Sequence, residues 1–211
     1  QGIGQVTAGD IAQAAALGYR IRLVGQAEAG PHGLYQRVAP CLVPLDHPLA
    51  SVTGAMNAVV AEGNFVGRLF FSGRGAGAGP TASAVVADLV DVARMMTADP
   101  EHRVPHLSFQ PDQLHDTPIL RMEQVETGCY LRLRAFDKPG VMADVTRILA
   151  DGSISIDAIL QKEAEEGEDL VDVIILTHRS VEANVNTAIA RIEALPTISA
   201  KVIRIRLEEL N

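Results

Sequence analysis

The last third of the chain constrains the fold most, because its apolar residues change period four times in an order few topologies satisfy. Residues 129–136 alternate, with Leu131, Leu133 and Ala135 on one face, which reads as a strand. Asp137-Lys138-Pro139-Gly140 then breaks the alternation, and Val141, Met142, Val145, Ile148 and Leu149 follow at helical spacing. A second strand is expected over 154–160, an acidic turn over 163–169 around Gly167, and a third strand over 170–177. Val181, Val185, Ala188, Ile189 and Ile192 mark a second helix, and 202–207 a last strand. The order β-α-β-β-α-β is the split βαβ, or ferredoxin-like, arrangement. Arg132 and Arg134 fall on one strand face and Arg204 and Arg206 on another. A sheet of this kind has one face under helices and one open, so the simplest expectation for these arginines is a solvated face.

The first ninety-odd residues read as α/β. Thr7-Ala8-Gly9-Asp10 has the form of a capping box, opening a helix through Ile11, Ala12, Ala15 and Ala16 to Leu17, with Gly18 as its stop. Residues 19–24 alternate as a strand, Gly30-Pro31-His32-Gly33 is a turn, and a strand is expected over 34–41. Pro40, Pro44 and Pro48 should then enforce an irregular, extended stretch. Apolar runs at 55–61 and 65–71 flank Glu62-Gly63-Asn64, a hairpin signal. A glycine-rich loop at 73–79 follows, with Pro80 suited to the first helical position of an Ala- and Val-rich helix bearing Val85, Val86, Leu89 and Val90. From 97 to about 127 the periodicity dissolves among four prolines, Pro100, Pro105, Pro111 and Pro118, which reads as a linker. The division expected is therefore 1–96, a linker at 97–127, and a second domain at 128–211.

A formal net charge of −8, with the basic residues scattered, argues against a nucleic-acid or anionic-membrane partner. Cys41 and Cys129 lie far apart and outside any CxxC pair, so both are expected as reduced, buried thiols of a cytoplasmic protein. No apolar run reaches membrane-spanning length. Residues 1–5 lack an initiator Met and read as though cut from a longer chain. His102, His106 and His115 sit in a Pro-rich setting without a cysteine partner, so no metal site is expected. His47, between Asp46 and Pro48, reads as a turn residue.

Two stretches carry a resemblance. Gly2-Ile3-Gly4-Gln5-Val6-Thr7-Ala8-Gly9-Asp10-Ile11, Val43-Pro44-Leu45-Asp46-His47-Pro48-Leu49-Ala50, Met56-Asn57-Ala58-Val59 and the glycine loop with Pro80-Thr81-Ala82 resemble the later half of the homoserine dehydrogenase catalytic region. Asp137-Lys138-Pro139-Gly140-Val141 with Gly152-Ser153-Ile154-Ser155-Ile156 resembles the signature turns of an ACT domain, a module that often binds amino acids. The resemblance implies a partial homoserine dehydrogenase catalytic domain followed by a ferredoxin-like ACT domain. The intact enzyme would interconvert homoserine and aspartate semialdehyde with NADP or NAD, as a homodimer or homotetramer. The dinucleotide fingerprint and the catalytic Lys of that family precede the segment seen here, so no catalytic residue is assigned, and this chain alone is expected to be inactive.

Two motifs keep two readings each. Gly73-x-Gly75-x-x-Ala78 formally matches a dinucleotide turn, but no parallel strand and acidic residue follow it. Gly75, Ala76 and Gly77 either bring backbone close to the nicotinamide side of the cofactor, as the resemblance suggests, or only turn the chain tightly into the helix. Asp137, Pro139, Gly140 and Val141 either receive an amino-acid effector, threonine by family analogy, or form a capped turn in a domain used for dimerisation. In the first case Ile156, Asp157 and Gln161 complete the pocket from a partner subunit. The alternative for the whole chain is a stand-alone amino-acid-binding or dimerisation module; a different oxidoreductase sharing the glycine loop is a third.

Overall fold

A computed structural model of the chain describes residues 2–30, 32–98, 108–161 and 167–208. These residues form two compact units, 1–50 with 118–211 and 51–117. The units cut the chain differently from the division into 1–96 and 128–211, because the first two strands join the sheet of the C-terminal domain.

In the larger unit, helix α1 (Ala8–Ala16) starts at a complete capping box. The Thr7 hydroxyl accepts from the Asp10 amide at 3.2 Å, and the Thr7 amide donates to the Asp10 carboxylate at 2.8 Å. Gly18, at φ +85°, makes the left-handed stop. Strands β1 (Tyr19–Gly30) and β2 (Gly33–Pro44) then pair antiparallel over their full length. Pro40 and Pro44 do not interrupt β2, contrary to the irregular stretch expected. The next strand pairs with β2 only at Cys41 and Leu42, so the amide missing at Pro40 is not needed on that side.

The C-terminal part follows the expected order: β5 (Glu126–Phe136), α3 (Val141–Asp151), β6 (Ile156–Gln161), β7 (Leu170–Val181), α4 (Glu182–Glu193) and β8 (Ile203–Leu207). The acidic turn expected at 163–169 lies largely outside the described residues. The sheet runs β1-β2-β8-β5-β7-β6, with β2 parallel to β8 and the other pairs antiparallel. One face buries Leu131, Leu133, Val173 and Ile175 against Val145, Leu149, Val185 and Ile192 of the helices.

The other face is not solvated, and here the expectation is corrected. Tyr130, Ile174, Leu176 and Ile205 pack against Ala14 of α1, with Leu17 and Tyr19 at the margin. A helix about 120 residues upstream closes the face that an isolated ferredoxin-like domain leaves open. Arg132, expected in solvent, is accordingly largely buried and paired with Asp10 of α1, and Arg206, on the opposite face, is buried and paired with Glu182 of α4.

The smaller unit holds the hairpin β3 (Met56–Gly63) and β4 (Gly67–Arg74), with Gly67 at φ +70° in its turn, and helix α2 (Ala78–Thr97). Every residue of β4 is exposed and none of α2 is buried.

Candidate functional site

The loop between β5 and α3 is built by a reversal that only a glycine makes cheaply. Asp137 donates its amide to the Asp169 carbonyl at 2.9 Å, and Lys138 donates to Phe136 at 2.9 Å. Gly140, at φ +93°, then turns the chain into α3. No side chain caps α3; the Val141 amide donates to the Lys138 carbonyl at 3.4 Å, and those of Met142 and Ala143 are open to an acceptor. The loop lines a cavity of about 360 Å³ together with Met142 and Gln161. Gln161 donates from Nε2 to Asp137 Oδ1 at 3.3 Å.

Of the residues expected at an effector site, Asp137, Pro139, Gly140, Val141 and Gln161 therefore come together, and they do so within one chain. Gln161 reaches the loop of its own chain. Ile156 and Asp157 do not join them. Ile156 packs against the core beneath the helices, and Asp157 lies 3.9 Å from His178 Nε2. A strand rises about 3.3 Å per residue, so Ile156 and Gln161 stand about 17 Å apart along β6.

The glycine loop has a packing reason of its own. A Cβ on Gly75 would lie 1.4 Å from Asn57 Nδ2, so the side chain of β3 occupies the space a larger residue would need. Gly75 donates its amide to the Ala55 carbonyl at 3.3 Å. Gly77, at φ +122°, is the N-cap of α2 and offers no side chain to its first turn. The helix begins at Ala78, placing Pro80 third rather than first, still where no intrahelical amide is required. Ala76 lies between the two glycines. The loop can present backbone donors to an anionic or amide group. The antiparallel hairpin and single helix around it cannot make a dinucleotide site by themselves, because that needs a βαβ unit.

Sequence reasoning missed the buried polar groups that weld the first helix and strands to the C-terminal domain. Asp10, fully buried, accepts from Tyr130 Oη at 2.9 Å and from Arg132 Nε at 2.7 Å. Burial pushes its carboxyl up, but the hydrogen bonds from Arg132, Thr7 and Tyr130 outweigh that and hold it below the usual value. Glu182, at the start of α4, accepts from Arg206 at 2.5 and 2.9 Å in a two-pronged pair. It also accepts from Thr127 at 2.6 Å, and Arg204 lies 3.0 Å away. Burial raises its carboxyl and these donors lower it further than burial raises it. The only signal in the sequence was arginines placed at alternating positions of apolar strands.

Cys41 and Cys129 are buried thiols, as expected. Both lie opposite Arg206, in the strands on either side of β8. Two strand spacings of about 4.8 Å are too wide for a disulfide. Burial pushes the Cys41 thiol up to about 12, so it stays protonated and unreactive. His47 forms a turn, its Nδ1 accepting from the Leu49 amide at 3.2 Å. His102 and His106 lie outside the described residues, and His115 is exposed.

Comparison with known proteins follows the same division. Residues 1–90 match the family model described as homoserine dehydrogenase, and residues 130–196 match the ACT domain. A homoserine dehydrogenase of Pseudomonas aeruginosa is 53% identical over 211 residues, which are 100% of this chain and 49% of that protein. One of Neisseria gonorrhoeae is 43% identical over 211 residues, 100% of this chain and 48% of that protein. The crystal structure of a homoserine dehydrogenase from Thiobacillus denitrificans matches with a TM-score of 0.91 at 59% identity, covering 100% of this chain and 47% of that one. The chain spans about half the length of the relatives it matches.

Proposed function

The chain belongs to the homoserine dehydrogenase family and carries an ACT domain, and from that premise we propose that it is the regulatory and assembly portion of an NAD(P)-dependent enzyme interconverting homoserine and aspartate semialdehyde. In this reading residues 1–96 belong to the catalytic and dimerisation region, 97–127 link, and 128–211 sense an amino acid. The effector is threonine, a product downstream of homoserine, which gives the enzyme its place in threonine and methionine synthesis. The setting is cytoplasmic and the assembly a homodimer or homotetramer. No helix among the described residues is long and apolar enough to cross a membrane.

The observation that carries the reading is the cavity at the β5–α3 loop beside an uncapped helix start. The α-carboxylate of an amino acid would accept from the amides of Met142 and Ala143, where the helix dipole favours negative charge. Asp137, paired with Gln161, stands where it can take the ammonium. The signal has a physical route to the catalytic region, since β5 holds Tyr130 and Arg132, and these hold Asp10 of α1. An effector that favours one placement of β5 over another would thereby bias α1 as well.

The cofactor supplies the hydride chemistry. This chain's part in holding it would be the backbone at Gly75, Ala76 and Gly77, where glycines let the main chain approach the nicotinamide closely. The chain alone does not turn over homoserine.

A thermal melt of the chain with L-threonine, beside serine, isoleucine, lysine and methionine, tests the sensor. Ligand at 100 times its dissociation constant stabilises the folded state by about 2.7 kcal/mol. Stabilisation by threonine alone, lost on Gln161→Ala, is expected; no stabilisation by any of the five contradicts the sensing role and leaves assembly as the domain's work.

A further inference from the structure

A second cavity, of about 210 Å³, lies on the extended part of the sheet and shares no lining residue with the loop site. Its floor is a block of four cross-strand neighbours. Arg37 of β2 stands opposite Gln26 of β1, and Tyr35 stands opposite Glu28. The side is closed by the chain returning to the sheet, where Leu34 donates to Pro118 at 2.7 Å and Leu120 donates to Leu34 at 2.9 Å. Gly33 is obligatory there, since a Cβ would meet the Pro118 carbonyl at 2.3 Å.

Two donors in this cavity are buried and unspent. Arg37, its side chain 7% exposed, gives Nε to Gln26 at 3.0 Å and Nη2 to Glu208 at 2.5 Å. Its Nη1 has no hydrogen-bond partner among the described residues, and neither has the hydroxyl of Tyr35, a residue 7% exposed. Buried donors are ordinarily paired, so two unpaired ones beside one opening indicate an acceptor that comes from outside. Burial pushes the Tyr35 phenol up to about 12, so it remains a donor. The cavity is not simply cationic, because Glu28, Glu126 and Glu208 line it with Arg37 and Arg179. A dianion such as phosphate would meet those carboxylates, whereas a zwitterion satisfies both signs. Leu120, Val125 and Leu207 leave an apolar wall for a small side chain.

We propose that this cavity is a second ligand site, taking a small α-amino acid with its carboxylate on Arg37 Nη1 and Tyr35 Oη and its ammonium toward Glu28. The site is separate from the β5–α3 loop and does not depend on that loop binding anything.

The test is an amide NMR titration of the full 211-residue chain with glycine, L-alanine, L-threonine and L-homoserine in turn, and with acetate and ethylammonium as the two halves of the ligand. At least one of the four shifts the resonances of Tyr35, Arg37 and Thr127 saturably. Tyr35→Phe removes a hydroxyl that bonds to none of the described residues, so the fold is retained while affinity at this site falls about tenfold. Gln161→Ala leaves these shifts unchanged, which separates them from any binding at the loop. Absence of saturable shifts with all four amino acids, equal affinity in Tyr35→Phe, or acetate binding as tightly as the amino acids overturns the proposal.

Discussion

The two units are built on opposite terms. Residues 2–50 and 118–208 bury apolar groups on both faces of one sheet, with Leu131, Leu149 and Ile192 fully buried on one side and Leu42 and Tyr130 on the other. Residues 51–98 and 108–117 bury almost nothing. Val59, Phe71, Val86 and Leu89 are all more than half exposed, on a hairpin and a helix that carry as much apolar surface as a core element would. Patches of that kind on a soluble protein mark surfaces meant for cover. The larger unit thus has the contents of an independent domain, whereas the glycine-loop unit has only the pattern of one. The same contrast explains why the β5–α3 loop lines a cavity while the glycine loop offers little beyond backbone.

Hydrogen exchange should show the contrast at its largest. No residue of α2 is buried and most helical stability comes from packing, so amides of α2 are expected to exchange at least about a thousandfold faster than those of β5 and β7. Comparable protection in α2 and β7 would mean that the smaller unit has a core of its own.

Removing the charge at the centre of the larger unit comes next. Glu182→Ala leaves Arg206 buried without its carboxylate and should cost about 3–5 kcal/mol in urea unfolding. Asp10→Ala, which releases α1 from Tyr130 and Arg132, should cost about 2–3 kcal/mol. Both carboxyls are held below their ordinary values of 3.8 and 4.5. Their contribution is therefore complete at neutral pH and is lost as pH falls below 4.5 and then below 3.8 towards the folded values. Urea midpoints that stay level down to pH 3 would contradict these pairs.

At the small end, Leu89→Glu on α2 should change the unfolding free energy of the chain by less than about 0.5 kcal/mol, since the side chain is 64% exposed. A larger loss would show that this face is covered within the chain itself.

What the sequence disclosed follows the range of the interactions. The Thr7–Asp10 capping box, the hairpin about Gly63 and the βαββαβ order rest on neighbours within a few residues or on local period, and the structure has all three. The turn at Asp137, Pro139, Gly140 and Val141 was legible for the same reason. The pairing of Cys41 with Arg206, the seat of Ala14 on Leu176, and the reach of Arg132 to Asp10 were not. Each joins residues more than 100 positions apart, and no local period records such a partner. One hint went unread: residues 39–43 are buried without alternation, the mark of a strand covered on both faces, although Pro40 and Pro44 pointed to an irregular stretch. Ile156 and Asp157, expected to complete the pocket from a partner subunit, stand away from the loop of their own chain.

The central claim is that β1, β2 and α1 fold as part of the six-stranded sheet and not with the glycine-loop unit. Native-state hydrogen exchange across a low-urea series tests it directly. The account predicts that the most protected amides of β1 and β2 converge on the same opening free energy as those of β5, β7 and β8, while α2 opens far below it. Independent opening of residues 19–44, at an energy shared with α2, would contradict it.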